Sequence, residues 1–318
     1  MKFFKSIIFL WFFPLIVYAQ QRPLFTQNFG LKYYDNPAYG GMKRSLQADF
    51  VYRDQYSGLD GQPSTIYAGF HLPLFALHGG GGFHLMRQEA GLYQSTQASA
   101  SYNYVIGTNI GFLSFGGRFG VNHVSFNGEK IRTPDGNYEG TINHNDPLLN
   151  NTLFSGIGVI WELGMYVMSK NYEGGMMVYD IPEHQNSLGL ATYHKTSGLQ
   201  LYGQYKTQFL SINIMPNVAI RTDFREVQTD VGIMAQGVES FFGGLNIRGY
   251  NQFSFDALCF IIGTNIGSHY TISYSYDLGL SNLRHVNDGT HEIVVSYNLN
   301  RALGMGISPK IIRNPRHL

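Results

Sequence analysis

The 318-residue sequence predicts an all-β protein, a transmembrane antiparallel barrel of fourteen strands with a short N-terminal plug or periplasmic segment. Three observations carry this. Strand-length segments alternate apolar and polar residues with period two, best seen in Tyr270-Thr271-Ile272-Ser273-Tyr274-Ser275-Tyr276-Asp277-Leu278. An export signal precedes them. The composition also lacks the charge of a soluble surface: 14% of residues are charged and 15% aromatic, where soluble domains carry about 25% charged residues.

In chain order, Met1-Lys2-Phe3-Phe4-Lys5 is a basic region and Ile7 to Tyr18 an apolar one. Val17-Tyr18-Ala19 supplies small residues for cleavage, so residues 1–19 read as a signal peptide and the mature chain is expected to begin at Gln20. No Cys lies near that point, which argues against a lipoprotein. Beyond residue 19 no run of about 18 apolar residues occurs, so spanning helices are not expected. Net charge +1 gives no case for nucleic acid. The single cysteine, Cys259, excludes an intrachain disulfide and reads as a small apolar filler.

Residues 20–44 contain Tyr33-Tyr34-Asp35-Asn36-Pro37-Ala38-Tyr39-Gly40-Gly41, too aromatic for a disordered leader. A cap or plug at the periplasmic mouth is expected. The barrel then occupies 45–300, with strands near 45–54, 63–73, 80–88, 92–106, 109–125, 153–168, 171–181, 197–207, 209–222, 225–237, 239–250, 252–264, 267–280 and 289–300. Twelve and sixteen strands are the alternative counts. Short joints at Gly107-Thr108, Ser169-Lys170, Gln208, Val238 and Thr264-Asn265-Ile266 fall at one end. The longer connections 55–62, 126–152, 182–196 and 281–288 fall at the other, as short periplasmic turns and long external loops do.

In the fourth strand Ala98, Ala100, Tyr102, Tyr104 and Ile106 oppose Gln97, Ser99, Ser101 and Asn103. In the last, Ile293, Val295, Tyr297 and Leu299 oppose Glu292, Ser296, Asn298 and Asn300. The alternation fails over 253–262, where both faces are apolar, so this strand is expected to face a plug, a partner or a packed lumen. The 38 glycines are assigned to hairpins, and the tyrosines to interfacial girdles. The tail 301–318 carries Arg301, Lys310, Arg313 and Arg316 and is expected in the periplasm.

Motifs for chemistry are sparse. Asp135, Asn137, Glu139 and Asp146, with Gly140 at the sixth position, echo a calcium loop. Glu at the fifth position and Asp at the twelfth depart from it, and a polar loop is the better reading. His123, His144 and His184 have no second His at metal-like spacing. No Gly-x-Ser-x-Gly, Walker or His-Glu-x-x-His motif occurs. Ser273, Asp277, His269 and His291 are the only grouping near enough to be weighed as a hydrolytic site, against a structural polar network in the lumen.

An ordered set of motifs resembles the PorP/SprF family of outer-membrane proteins associated with the type IX secretion system of Bacteroidetes. Asp35-Asn36-Pro37-Ala38-Tyr39-Gly40-Gly41 resembles the family's N-terminal signature. Tyr52-Arg53-Asp54-Gln55-Tyr56-Ser57-Gly58 with Gly61-Gln62-Pro63 follows, then Arg132-Thr133-Pro134-Asp135. Tyr274-Ser275-Tyr276-Asp277 with Leu283-Arg284, Gly289-Thr290-His291-Glu292-Ile293 and Ser296-Tyr297-Asn298 complete the set. Tyr56 stands where the family has Trp, and Asn314-Pro315 where a Cys-Pro is common.

The resemblance implies an integral protein of a Gram-negative outer membrane, without cofactor, metal or catalytic residues. It implies a role in export or surface anchoring of secreted proteins, adhesins and gliding motility among them. The implied partners are outer-membrane lipid, a secreted surface protein, and secretion components including periplasmic ring lipoproteins. Asn36, Pro37, Ala38, Tyr39, Arg53, Gln55, Gly58, Arg132, Pro134, Asp135, Tyr276, Asp277, His291 and Glu292 are the candidate interaction residues. A passive or substrate-selective pore is the alternative function, and a lipid-modifying barrel enzyme a third.

Overall fold

A computed structural model describes residues 22–139, 142–145, 153–181, 184–188, 191–237, 240–250 and 254–303. Alternating sequence has become alternating exposure. Ser273, Ser275 and Asp277 are buried, while Tyr270, Ile272, Tyr274 and Leu278 of the same strand are exposed. A sheet with one polar and one apolar face can hide its polar face from lipid only by closing on itself.

Fourteen strands close the barrel: β1 (Gln47–Asp54), β2 (Ser64–Leu74), β3 (Gly79–Ala90), β4 (Tyr93–Thr108), β5 (Gly111–Asn127), β6 (Leu153–Met168), β7 (Tyr172–Tyr179), β8 (Gly198–Tyr205), β9 (Ile212–Thr222), β10 (Val227–Gln236), β11 (Phe241–Tyr250), β12 (Ser254–Ile266), β13 (Tyr270–Gly279) and β14 (Thr290–Asn298). Neighbours are antiparallel throughout, and β1 pairs with β14 in the register Val51↔Val294. A three-residue strand, Thr207–Phe209, extends the edge after β8. The hairpin His184–Leu188 with Ala191–Lys195 forms a separate two-stranded sheet in a loop. The tyrosine-serine segment is thus the thirteenth barrel strand.

The connections sort by length. One end, here the terminal end, holds the start of β1, the end of β14 and the joints 75–78, 109–110, 169–171, 206–211, 237–240 and 267–269. The opposite, loop end carries 55–63, 128–152, 180–197 and 280–289, with shorter connections at 91–92, 223–226 and 251–253. Phe50, Phe70, Leu85, Tyr104, Phe115, Phe119, Trp161, Leu245 and Ile272 belong to an exposed apolar belt around the outside. That much exposed apolar surface is unstable in water and matches a hydrocarbon solvent.

The lumen is filled. Residues 22–46 run through it, with a short helix at Lys32–Asp35 and a 3-10 turn at Pro37–Tyr39. Phe25, Leu31, Tyr33, Tyr34, Ala38 and Tyr39 are all buried. Phe25 and Tyr34 pack edge-to-face at 4.7 Å, and Tyr34 meets Tyr67 of β2 at 5.1 Å. Many tyrosines expected in girdles therefore serve as plug contacts, since a buried ring fills volume while its hydroxyl finds a partner. Residues 1–21, which include the expected signal peptide, and residues 304–318 lie outside the described residues.

The strand with two apolar faces is also resolved. Ala257, Cys259 and Ile261 point inward and are buried, whereas Phe260 and Ile262 point outward. A register shift between Arg248 and Gly249 leaves Asp256 unpaired in β12, so Phe255 turns outward although it shares parity with Ala257. Cys259 sits in register between inward Asn246 and Asp277 as a free buried thiol.

Candidate functional site: the plug and the wall that holds it

The plug is built to be held. Asn36 caps the 3-10 turn, its Oδ1 accepting from the Ala38 amide at 2.9 Å. Its Nδ2 donates to the Met165 and Met176 carbonyls, each at 3.0 Å, bridging β6 and β7. Wall glycines make room for this. A Cβ on Gly116 would lie 2.7 Å from the Ala38 backbone, and one on Gly175 would lie 2.7 Å from Asn36 Nδ2. Additions at Gly164 and Gly80 would overlap Asn36 and the Gly40 carbonyl. Gly41 needs its positive φ of 66° and sits against Leu72 and Pro73. The Asn-Pro-Ala-Tyr-Gly-Gly motif and these wall glycines are two halves of one contact. These glycines, assigned to hairpins from the sequence, line the wall instead, because only a missing Cβ lets two backbones approach so closely.

Inward charges supply the second hold. Arg53 of β1 donates to Glu292 of β14 and to Asp277 of β13, both at 2.8 Å. Arg248 of β11 bridges Asp277 at 3.0 Å and Asp230 of β10 at 2.9 Å, and Arg221 of β9 meets Asp230 at 2.9 Å. The plug completes this ladder. Thr26 donates its hydroxyl to Asp277 at 2.7 Å and accepts from Arg53 at 2.9 Å. Its amide and that of Gln27 donate to the Glu292 carboxylate at 2.9 and 3.0 Å. Asp35 of the helix lies 3.8 Å from Arg221. Ser273 donates to the Gln27 side chain.

Two smaller clusters hold the other side. Arg118 of β5 pairs with Glu162 of β6 and donates to the Tyr33 and Tyr34 carbonyls. Arg22 reaches Glu162 at 3.4 Å and lies 4.2 Å over the Tyr34 ring. Glu173 of β7 accepts from Lys32 at 2.5 Å and Lys206 at 2.9 Å, and from the Tyr166 hydroxyl at 3.1 Å. Burial outweighs the Glu173 ion pair at Lys32 and lowers its ammonium to about 7, with Lys43 and Lys206 adding to the effect. Burial acts oppositely on the Asp35 carboxyl and raises it. The clefts flanking Arg22 and Pro23 have volumes of about 20 Å³, room for roughly one water each.

The candidate residues divide into four groups. Asn36, Pro37, Ala38, Tyr39, Arg53, Asp277 and Glu292 converge on the plug interface. Gln55 and Gly58 belong to the 55–63 loop, which is stitched to 280–289 by Ser57 N to Gly289 O and Asp288 N to Ser57 O, both 2.8 Å. Arg132, Pro134 and Asp135 lie in the long loop, where Arg132 sits 4.4 Å over Tyr138. Asn137 Oδ1 is engaged by the Glu139 amide, and Asp146 lies outside the described residues.

Tyr276 and His291 face outward, with Tyr274 Oη 2.7 Å from His291 Nδ1. His291 is therefore on the opposite side of the wall from its neighbour Glu292, and His269 is exposed at a turn. Ser273, Asp277, His269 and His291 do not converge. Among the described residues no group of three His, Cys, Asp or Glu is arranged to hold a metal. Arg118, Glu162, Glu173, Arg248, Asp230, Lys32 and Thr26 were not singled out from sequence. For the five on strands the available signal was a charge within an alternating strand, at a position where lipid would exclude it; Lys32 and Thr26, on the plug, carried none.

No curated protein matches the chain. Among solved structures it is similar to the P. putida toluene transporter TodX, at 10% identity and TM-score 0.47 over 82% of this chain and 90% of that one. It is similar to a Pseudomonas aeruginosa FadL homologue, at 8% identity and TM-score 0.47 over 80% and 88%. It is also similar to CdiB from Acinetobacter baumannii, at 9% identity and TM-score 0.45 over 80% and 60%. Residues 17–297 match the family model described as "Type IX secretion system membrane protein PorP/SprF". That range takes in both the plug and the barrel, and the chain belongs to this family of integral outer-membrane proteins.

Proposed function

We propose that the protein is a sealed, non-enzymatic barrel that supports export or surface anchoring of a secreted protein through docking surfaces at its two ends. The observation that carries this reading is the filled lumen. A plug fixed by an ion-pair ladder built from side chains of six strands is a poor device for diffusion. It is a good device for stiffening a platform, because every strand it touches is tied to a common element.

In this reading the loop end faces outside and the terminal end faces the periplasm, following the asymmetry of connection lengths. The 55–63 and 280–289 loops, already bonded to each other, form the base on which 128–152 and 180–197 meet a secreted partner. The terminal end meets secretion components. Planar-bilayer recording tests the closed state: the intact protein is expected to show no steady conductance, and removal of 22–46 to produce it. Deleting 128–152 is expected to release a surface protein into the medium while the barrel still inserts. Steady conductance by the intact protein, with surface proteins unchanged in the deletion strain, would favour a pore instead.

A further inference from the structure

We propose that the terminal mouth of the barrel is a docking surface for an acidic protein face. This rests on the orientation given above. The chain has a net charge of only +1, yet its charges are segregated by end. The terminal end exposes Lys43, Arg44, Lys170 and Arg301, and among the described residues no exposed acid accompanies them. Among the described residues its two acids face inward and are engaged, Glu173 by Lys32 and Lys206 and Asp49 by the Ser296 hydroxyl at 2.6 Å; Glu239 of the 237–240 joint lies outside the described residues. The loop-end connections, by contrast, carry in sequence ten acids against the five cations Lys130, Arg132, Lys195, Arg225 and Arg284.

The position of these cations separates a protein partner from the bilayer. A lipid headgroup would be met by cations on the outer perimeter of the strands. Lys43 and Arg44 lie instead on the segment joining the plug to β1, inside the ring of strands. Lys43 is near enough to Lys32, Asp49 and His71 to act on them electrostatically, and all three belong to the lumen side. The Leu303 amide donates to the Arg44 carbonyl at 3.1 Å, folding the segment after Arg301 back over the same mouth. Only Lys170, on a turn, is placed toward the rim. The cationic cluster therefore faces the aqueous space below the plug, and a macromolecule arriving there meets unneutralised positive charge. Such a surface steers an acidic partner and fixes its register.

The test is site-specific photo-crosslinking in intact cells, with a benzophenone amino acid replacing the exposed Ala302 of the full chain. The expected adduct maps to a protein segment of net negative charge. Combined Lys43→Glu, Arg44→Glu and Arg301→Glu is expected to lower adduct yield by about tenfold or more. Lys130→Glu with Arg132→Glu at the loop end leaves it unchanged. If the reversed variant fails to insert, Lys43→Gln, Arg44→Gln and Arg301→Gln serves, with a smaller but measurable loss expected. An adduct with phospholipid alone, an adduct with a neutral or basic segment, no adduct, or a yield indifferent to the charge changes would each overturn the proposal. Failure of the secretion reading is seen separately: a strain lacking the protein would retain its normal surface proteins, whatever the crosslink shows.

Discussion

Replacing Gly116 by alanine isolates the contact between plug and wall. In an ordinary strand this change is neutral or favourable by about 0.5–1 kcal/mol, because alanine has less chain entropy to lose. Here the new Cβ would lie 2.7 Å from both the Cα and the amide nitrogen of Ala38. Backbone cannot rotate away as a long side chain can, so the turn must lift. Overpacking of this kind costs about 1–3 kcal/mol. Lifting the turn also endangers the three hydrogen bonds of Asn36, each contributing about 1 kcal/mol. The combined penalty on plug seating is about 3–5 kcal/mol, with sign opposite to that expected of the strand alone. Gly117→Ala is the internal control: it is one residue away on the outer face, and its Cβ would make only a 3.6 Å contact with Leu163. Hydrogen exchange on the protein in nanodiscs should show deprotection of residues 31–41 in Gly116→Ala and none in Gly117→Ala. Equal protection in both would refute the idea that wall glycines exist to seat the motif.

Further tests address the ladder and its surroundings. Arg53→Met leaves Asp277 and Glu292 buried without their shared cation, a class of change costing about 3–5 kcal/mol; denaturant unfolding in lipid should register it. His291→Ala, one residue from Glu292 but on the outer face, should change stability by no more than about 0.5 kcal/mol. Glu292→Gln on the inner face should cost several times that, so the pair measures the sidedness of β14. Lys32 supplies a pH dependence. Its seated ammonium titrates near 7 against 10.5 when solvated, so a released plug binds the proton more readily across this window. Seating should weaken as pH falls from about 10.5 to about 7 and be unaffected by this group below that. Lys32→Met should flatten the trend in exchange measurements corrected for intrinsic rate.

Strand count and the face of each alternating residue were legible in the sequence, because lipid enforces the pattern locally. Strand limits were less so, since the joints expected at Gly107-Thr108 and Thr264-Asn265-Ile266 lie inside β4 and β12 and the turns fall at 109–110 and 267–269. An inward or outward choice at Tyr276 or Ser275 depends on parity alone, and parity survives without knowledge of neighbours. Where a strand departs from that rule, as at β12, the sequence announced an exception without its cause. The bulge that turns Phe255 outward depends on pairing with Arg248 and Gly249, residues on another strand. Motif residues could be flagged but not given jobs. Arg53, Asp277 and Glu292 lie on three strands, the first far from the other two in sequence, and only closure of the barrel between β1 and β14 brings them together.

The alternation at 270–278, repeated along the chain behind an export signal and in a composition poor in charge, predicted a barrel closed in a membrane, since a sheet with one polar and one lipid-facing surface hides its polar face by closing. The tertiary structure alone decided that the lumen is filled. Whether a lumen is open depends on what occupies it, and the occupant is residues 22–46, held by glycines and charges on strands spread from β1 to β14. Local sequence sets the hand and face of each strand. Contacts between distant strands and the threaded segment set what the barrel can pass, and they exist only once the ring has formed around it.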